Sequence, residues 1–156
     1  MKHPFRVILL GVINLKGSKD ILSSIVKTAQ MGQIGIRSVL NAPIHSDLKE
    51  TLRAQLRQYD EIEKEALAIA GAKGMELKQL DPATKRMTNM MTKARLSFGN
   101  RNSKAAAMMI QGNTKGIIKG YKNLNQFSAS DERITVLSRK LLECEKASIQ
   151  QMQGFL

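Results

Sequence analysis

Residues 46–74 read SDLKETLRAQLRQYDEIEKEALAIAGAKG. Leu48, Leu52, Gln55, Leu56, Tyr59, Ile62, Ala66 and Ile69 recur at steps of three and four, so they share one face of an α-helix. Ser46 stands where an N-cap belongs, and Asp47 and Glu50 occupy the first turns, where an acid suits the helix dipole. Gly71 to Gly74 mark the C-terminal end, since glycine enters the left-handed turn that closes a helix without steric penalty. A helix with one apolar stripe gains its stability by laying that stripe against other helices.

The chain on either side repeats this grammar. Upstream, Ser18 precedes Lys19 and Asp20, and Leu22, Ile25, Val26, Ala29, Gln33, Ile36 and Leu40 line one face. Asn41-Ala42-Pro43 ends that helix, because proline disfavours helix in the residue before it. Downstream, residues 75–81 connect to Asp81-Pro82, a start with proline at the first helical position. Met87, Met90, Met91 and Ala94 follow on one face. Ser97 to Asn102 form a break or kink, and Ser103 restarts the helix through Ala105, Met108, Met109, Gly112, Gly116, Ile117, Gly120, Tyr121 and Leu124. Ser130-Asp131-Glu132 opens the last helix, whose stripe is Ile134, Leu137, Leu141, Cys144, Ile149 and Met152. No stretch alternates long enough for a strand. The pattern predicts an all-α chain, an antiparallel up-and-down four-helix bundle over residues 18–156 with its third helix interrupted near residues 97–103. Its core should be Leu, Ile, Met and Ala.

Residues 1–17 read as an apolar and basic arm. Lys2, His3 and Arg6 precede the apolar run Val7 to Ile13, as in a signal peptide, but no small-x-small cleavage site follows. The run is far shorter than the roughly 20 residues a membrane span needs. A short apolar strand, helix or docking arm on a cytoplasmic protein with no transmembrane segment is the expectation, and the alternatives are a weak export or anchoring signal or a start site placed too far upstream. Cys144 is the only cysteine of the 156 residues, which excludes an internal disulfide and a Cys-rich metal site. Its place in an apolar stripe reads as a buried small hydrophobe.

The net charge of +12 is concentrated. Lys85, Arg86, Lys93, Arg95, Arg101, Lys104, Lys115, Lys119 and Lys122 fall within residues 82–127, a segment without a single acid. These cations could hold phosphate backbones electrostatically. Alternatively, they form a solvated face that pairs with the acidic second helix, Asp60 to Glu65. No aromatic residues interleave with them as stacking platforms, which disfavours sequence-specific single-strand binding.

Gly112, Gly116 and Gly120 share one helix face, and each costs up to about 1 kcal/mol of helix stability relative to alanine. Three together imply that something approaches this face closely, either a neighbouring helix of the same chain or an association partner.

Catalytic patterns are missing. A ferritin-like di-iron centre needs Glu-x-x-His on two helices, whereas His3 lies in the arm and His45 in the first interhelix loop. Gly112-Asn113-Thr114-Lys115-Gly116 lacks the spacing of a phosphate-binding loop. Serine, histidine and an acid meet only through His45, without sequence support. No catalytic, cofactor-binding or metal-ligating residue is assigned, and the chain does not read as an enzyme.

Residues 107–118, Ala107 through Gln111 and Gly112 to Ile118, resemble a segment of small uncharacterised ferritin-like four-helix-bundle proteins of Gram-positive bacteria. Gln55-x-x-x-Tyr59-x-x-Ile62-x-x-x-Ala66 is similar to their second helix, and Leu141-Leu142-Glu143-Cys144-Glu145 falls where that class carries an acidic fourth-helix motif. The resemblance spans roughly residues 25–156 and implies the fold, without the di-iron ligands. Three functional expectations stand together. The first is a non-enzymatic bundle working by self-association or a protein partner. The second is electrostatic binding of nucleic acid or a membrane surface through the basic third helix. The third is an atypical ferritin-like metal-binding protein.

Overall fold

The structure, a computed structural model, describes residues 16–128 and 131–156. Residues 1–15 of the expected arm lie outside the described residues. Five helices account for most of the rest: α1 (Ser18–Leu40), α2 (Ser46–Ala72), α3 (Pro82–Arg95), α4 (Arg101–Gln126) and α5 (Glu132–Gln153). Among the described residues there is no strand, only an isolated bridge where Lys16 lies beside Phe127. The Lys16 N–H donates to the Gln126 carbonyl at 2.8 Å, and the Ser128 N–H donates to that of Lys16 at 3.0 Å. No helix among the described residues is long and apolar enough to cross a membrane.

The starts differ from the sequence reading by one to three residues. Gly17, not Ser18, caps α1, with its N–H held by Asp20 Oδ2 at 3.3 Å. His45 takes the N-cap position of α2 and leaves Ser46 as the first helical residue. Asn100 caps α4 by accepting from the Ser103 N–H at 3.1 Å, three residues ahead of the expected restart. Asp81 and Asp131 cap α3 and α5, accepting from Ala83 and Arg133. In these three helices a short carbonyl side chain satisfies a backbone donor that the first turn leaves free.

The expected interrupted third helix is two helices. Gly99 takes φ +76, a left-handed conformation suited to glycine, and the chain reverses across residues 96–100. The Arg101 Nε donates to the Leu96 carbonyl at 3.0 Å, and Lys104 Nζ donates to the Phe98 carbonyl, so two cations tie down the turn.

Side-chain pairs fix the helix directions. Arg37 with Asp60 and Gln33 with Glu63 set α1 and α2 antiparallel. Gln58 with Cys144 and Gln55 with Gln151 do the same for α2 and α5. Asn102 contacts the His45 N–H and Asn123 contacts Ser24, so α4 runs back along α1. Helices α2 and α4 therefore descend together, and α3 carries the chain back up between them. It packs on α1, with Leu80 near Gln30 and Asn89 near Ser38. Strict alternation of four helices is thus replaced by two antiparallel hairpins, α1/α2 and α4/α5, joined by a long crossover.

The core lies among α1, α2, α4 and α5. Leu22, Val26, Ile36, Leu48, Leu52, Ile62, Ala105, Ala106, Ile134, Leu137 and Met152 are fully or almost fully enclosed. Burying one such Leu or Ile stabilises by about 1.5–3 kcal/mol relative to exposure.

Candidate functional sites: an interior polar layer and an exposed basic helix

Within this apolar core sits a polar layer built from α2, α4 and α5. Gln55 and Tyr59 are one turn apart on α2, and Glu145 and Ser148 are one turn apart on α5. Asn113 and Gly116 are likewise one turn apart on α4, so these pairs face inward together. Glu145 is 2% exposed, and Gln55, Tyr59, Asn113 and Ser148 are equally enclosed. Tyr59 donates its hydroxyl proton to Asn113 Oδ1 at 3.0 Å. Gln55 Nε2 donates to Gln151 Oε1 at 2.7 Å. Gln55 Oε1, Asn113 Nδ2, Glu145 Oε2 and Ser148 Oγ have no hydrogen-bond partner among the described residues. Each such group costs about 1–3 kcal/mol unless ordered water completes it.

Glycines make the room. A Cβ at Gly116 would stand 2.6 Å from Glu145 Oε1, and one at Gly32 would stand 2.6 Å from the Tyr59 ring. A Cβ at Gly120 would meet Leu142 Cδ2 at 2.6 Å, whereas Gly112 has nothing within 4 Å. Gly116 and Gly120 therefore face α5 of the same chain, and Gly112 stands clear.

Burial pushes the Glu145 carboxyl up to about 8. The Tyr59 hydroxyl would hold it down by donating, yet that proton is directed to Asn113. A protonated Glu145, by contrast, can donate to the Tyr59 oxygen, and this arrangement suits a carboxylic acid that is neutral near pH 7. Tyr59 itself is raised well above its usual value by burial and by Glu145 and Cys144. Burial also pushes the Cys144 thiol up to about 12, which removes thiolate character. Among the described residues no three His, Cys, Asp or Glu side chains come together in a way that would hold a metal ion. The layer is closed to solvent and carries one carboxyl group, so it offers neither an open active site nor a metal cage.

The nine candidate cations separate into groups. Arg101 and Lys104 hold the carbonyls of the 96–98 turn. Lys119 on α4 sits close enough to Lys27 and Lys16 for its pKa to be lowered, first by burial and then by those two charges. Lys115 and Lys122 are exposed elsewhere on α4. Lys85, Arg86, Lys93 and Arg95 belong to α3. Among the described residues none of the nine forms an ion pair. Of the acids of α2, Asp60 pairs with Arg37 and Glu65 with Lys140, and none pairs with the basic segment among the described residues.

The methionine face of α3 also departs from expectation. Met87, Met90 and Met91 were expected to join the core, yet Met87 is 62% and Met90 69% exposed, and Met91 is exposed too. Thr84, Thr88 and Thr92 face inward instead, with Thr92 buried. The Thr88 and Thr92 hydroxyls donate to carbonyls four residues back, at 2.9 and 2.8 Å, which satisfies them without a partner helix. Beyond the helix, Phe98 is 79% exposed.

Sequence reasoning missed Glu145, Asn113 and Gln55 as a group. Glu145 lies four residues after Leu141 and seven before Met152, on the buried stripe, and that spacing was the available signal. For Asn113 the signal was its place three residues before Gly116.

The described helices define an all-α fold of five helices. The chain is similar in structure to the crystal structure of a DUF305 fragment from Deinococcus radiodurans, with a TM-score of 0.70 and 13% sequence identity. The match covers 88% of this chain and 93% of that one. At that identity the likeness is one of fold. No protein-family model matches the sequence, and no curated protein matches it.

Proposed function

We propose that the protein is a non-enzymatic docking module that binds an anionic partner through the basic helix α3. The observation that carries this reading is the unpaired state, among the described residues, of Lys85, Arg86, Lys93 and Arg95 on a helix without acids. Unpaired cations release bound counterions when they meet a polyanion, which drives binding and makes it salt-dependent. Self-association through the glycine face is less well supported, because Gly116 and Gly120 already face Leu142 and Glu145 of α5. Metal binding has even less to rest on, with a single carboxyl in the interior. We read the bundle as ferritin-like in arrangement, on the basis of its single long crossover between two helical hairpins.

Retention on immobilised heparin at two salt concentrations tests the docking reading. The parent should be held at low salt and released as salt rises. The triple variant Arg86→Gln, Lys93→Gln, Arg95→Gln should elute earlier, with a salt slope lower by about 0.9 for each phosphate-like contact removed. A parent that is not retained at low salt, or a variant that elutes with it, overturns the reading.

A further inference from the structure

Helix α3 is amphipathic in the reverse sense. Its inward side carries threonines and its outward side methionines, whereas a helix resting on a globular core normally turns its apolar side inward. At 100° per residue, Ala83, Met87, Met90 and Ala94 form the crest of the exposed side, with Met91 beside them. Arg86 and Lys93 border that crest on one side, and the exposed Arg95 stands beyond Met91 on the other, between Thr84 and Thr88 in projection. Phe98, in the turn that follows, is a further exposed apolar side chain.

We propose that this outward face is a docking surface for an anionic lipid bilayer, with Met87, Met90 and Met91 entering the acyl boundary while Arg86, Lys93 and Arg95 hold lipid phosphates. The proposal rests on the anion-docking reading above and names its partner. Charge complementarity selects the occupant. A second copy placed symmetrically on the face would set Arg86, Lys93 and Arg95 against their own counterparts, with no acid on α3 to relieve them. A nucleic acid would satisfy the cations but leave the methionine crest in water. An anionic bilayer satisfies both, because an interfacial helix buries its apolar side about 5–10 Å into the headgroup boundary while its cations remain among the phosphates. Methionine suits such a surface, since its unbranched chain adapts to an irregular, fluid partner.

The test is sedimentation of the full chain with vesicles of phosphatidylglycerol and phosphatidylcholine, and with vesicles of phosphatidylcholine alone. The parent should sediment with the anionic vesicles and not with the neutral ones. The variant Met87→Ser, Met90→Ser, Met91→Ser should lose most of that binding, about tenfold or more, while keeping its helical circular dichroism and its heparin retention. The chain has no tryptophan, so Phe98→Trp supplies a single reporter. Its emission should shift to the blue on the anionic vesicles and stay unshifted on heparin. Heparin retention without vesicle binding overturns the bilayer and leaves the anion-docking reading standing. Failure to bind either one overturns both. Vesicle binding that survives the serine variant overturns the methionine face. A dimer in solution that the serine variant dissociates assigns the face to a second copy and overturns the proposal as well.

Discussion

Gly116 on α4 faces Glu145 on α5 so closely that a Cβ on the glycine would stand 2.6 Å from the carboxyl oxygen Oε1. The carboxyl is enclosed on all sides and cannot swing into solvent. An added methyl gains up to about 1 kcal/mol of helix propensity, but overpacking commonly costs about 1–3 kcal/mol. We expect Gly116→Ala to lower stability on balance. Gly112→Ala, four residues earlier in open space, should raise it by up to about 1 kcal/mol. Thermal unfolding of the two variants checks the contrast, and a stabilised Gly116→Ala would refute the close packing.

The same carboxyl makes stability depend on pH. Folded Glu145 keeps its proton up to about 8, while its ordinary value is 4.5. Between those values the unfolded chain binds fewer protons than the folded one. The stabilisation is therefore complete below the ordinary value and declines as pH rises through the folded one, by about 1.4 kcal/mol per unit at most. Glu145→Gln should flatten that decline and leave the variant more stable than the parent near the upper end. Denaturant unfolding from about pH 5 to about pH 8 reads both slopes, and a parent with no decline would show that the carboxyl is ionised in the fold.

Tyr59→Phe removes the hydroxyl that serves Asn113 Oδ1. The ring and its contact with Gly32 remain, so the loss is confined to the hydroxyl and its bonds with Asn113 and Glu145. An unsatisfied buried acceptor costs about 1–3 kcal/mol, and we expect a destabilisation in that range. A variant as stable as the parent would mean that Asn113 finds another donor.

The Cys144 thiol, pushed up to about 12 and accepted by Gln58 Oε1 at 3.4 Å, should alkylate very slowly in the native protein. Labelling with iodoacetamide should become fast only in denaturant. Rapid native labelling would place the thiol in an open, ionising environment.

The sequence made the helices legible where an apolar stripe met a core. Leu48, Leu52, Tyr59 and Ile62 are buried, as their spacing required. Periodicity marks an apolar face but not the direction it faces, and this is why Met87, Met90 and Met91 read as core yet lie exposed. The break near Gly99 was legible as a break. That it reverses the chain depends on its positive φ and on the carbonyls held by Arg101 and Lys104, which no spacing reveals. The interior polar layer was hidden for a related reason. Gln55, Asn113 and Glu145 lie on three helices far apart in sequence, and only the antiparallel register brings them together.

The crossover through α3 also divides the molecule into parts that can open separately. Thr92 is the only buried residue of α3, whereas each of the other helices buries several side chains. Local opening free energy follows buried apolar contact, so α3 should detach from α1 while both hairpins stay folded. Its amide protons would then exchange with solvent well before those of α1 and α5. A protease admitted by that opening would cut near Gly99 and leave α1/α2 and α4/α5 associated as two fragments, so the native protein would be nicked there long before it unfolds.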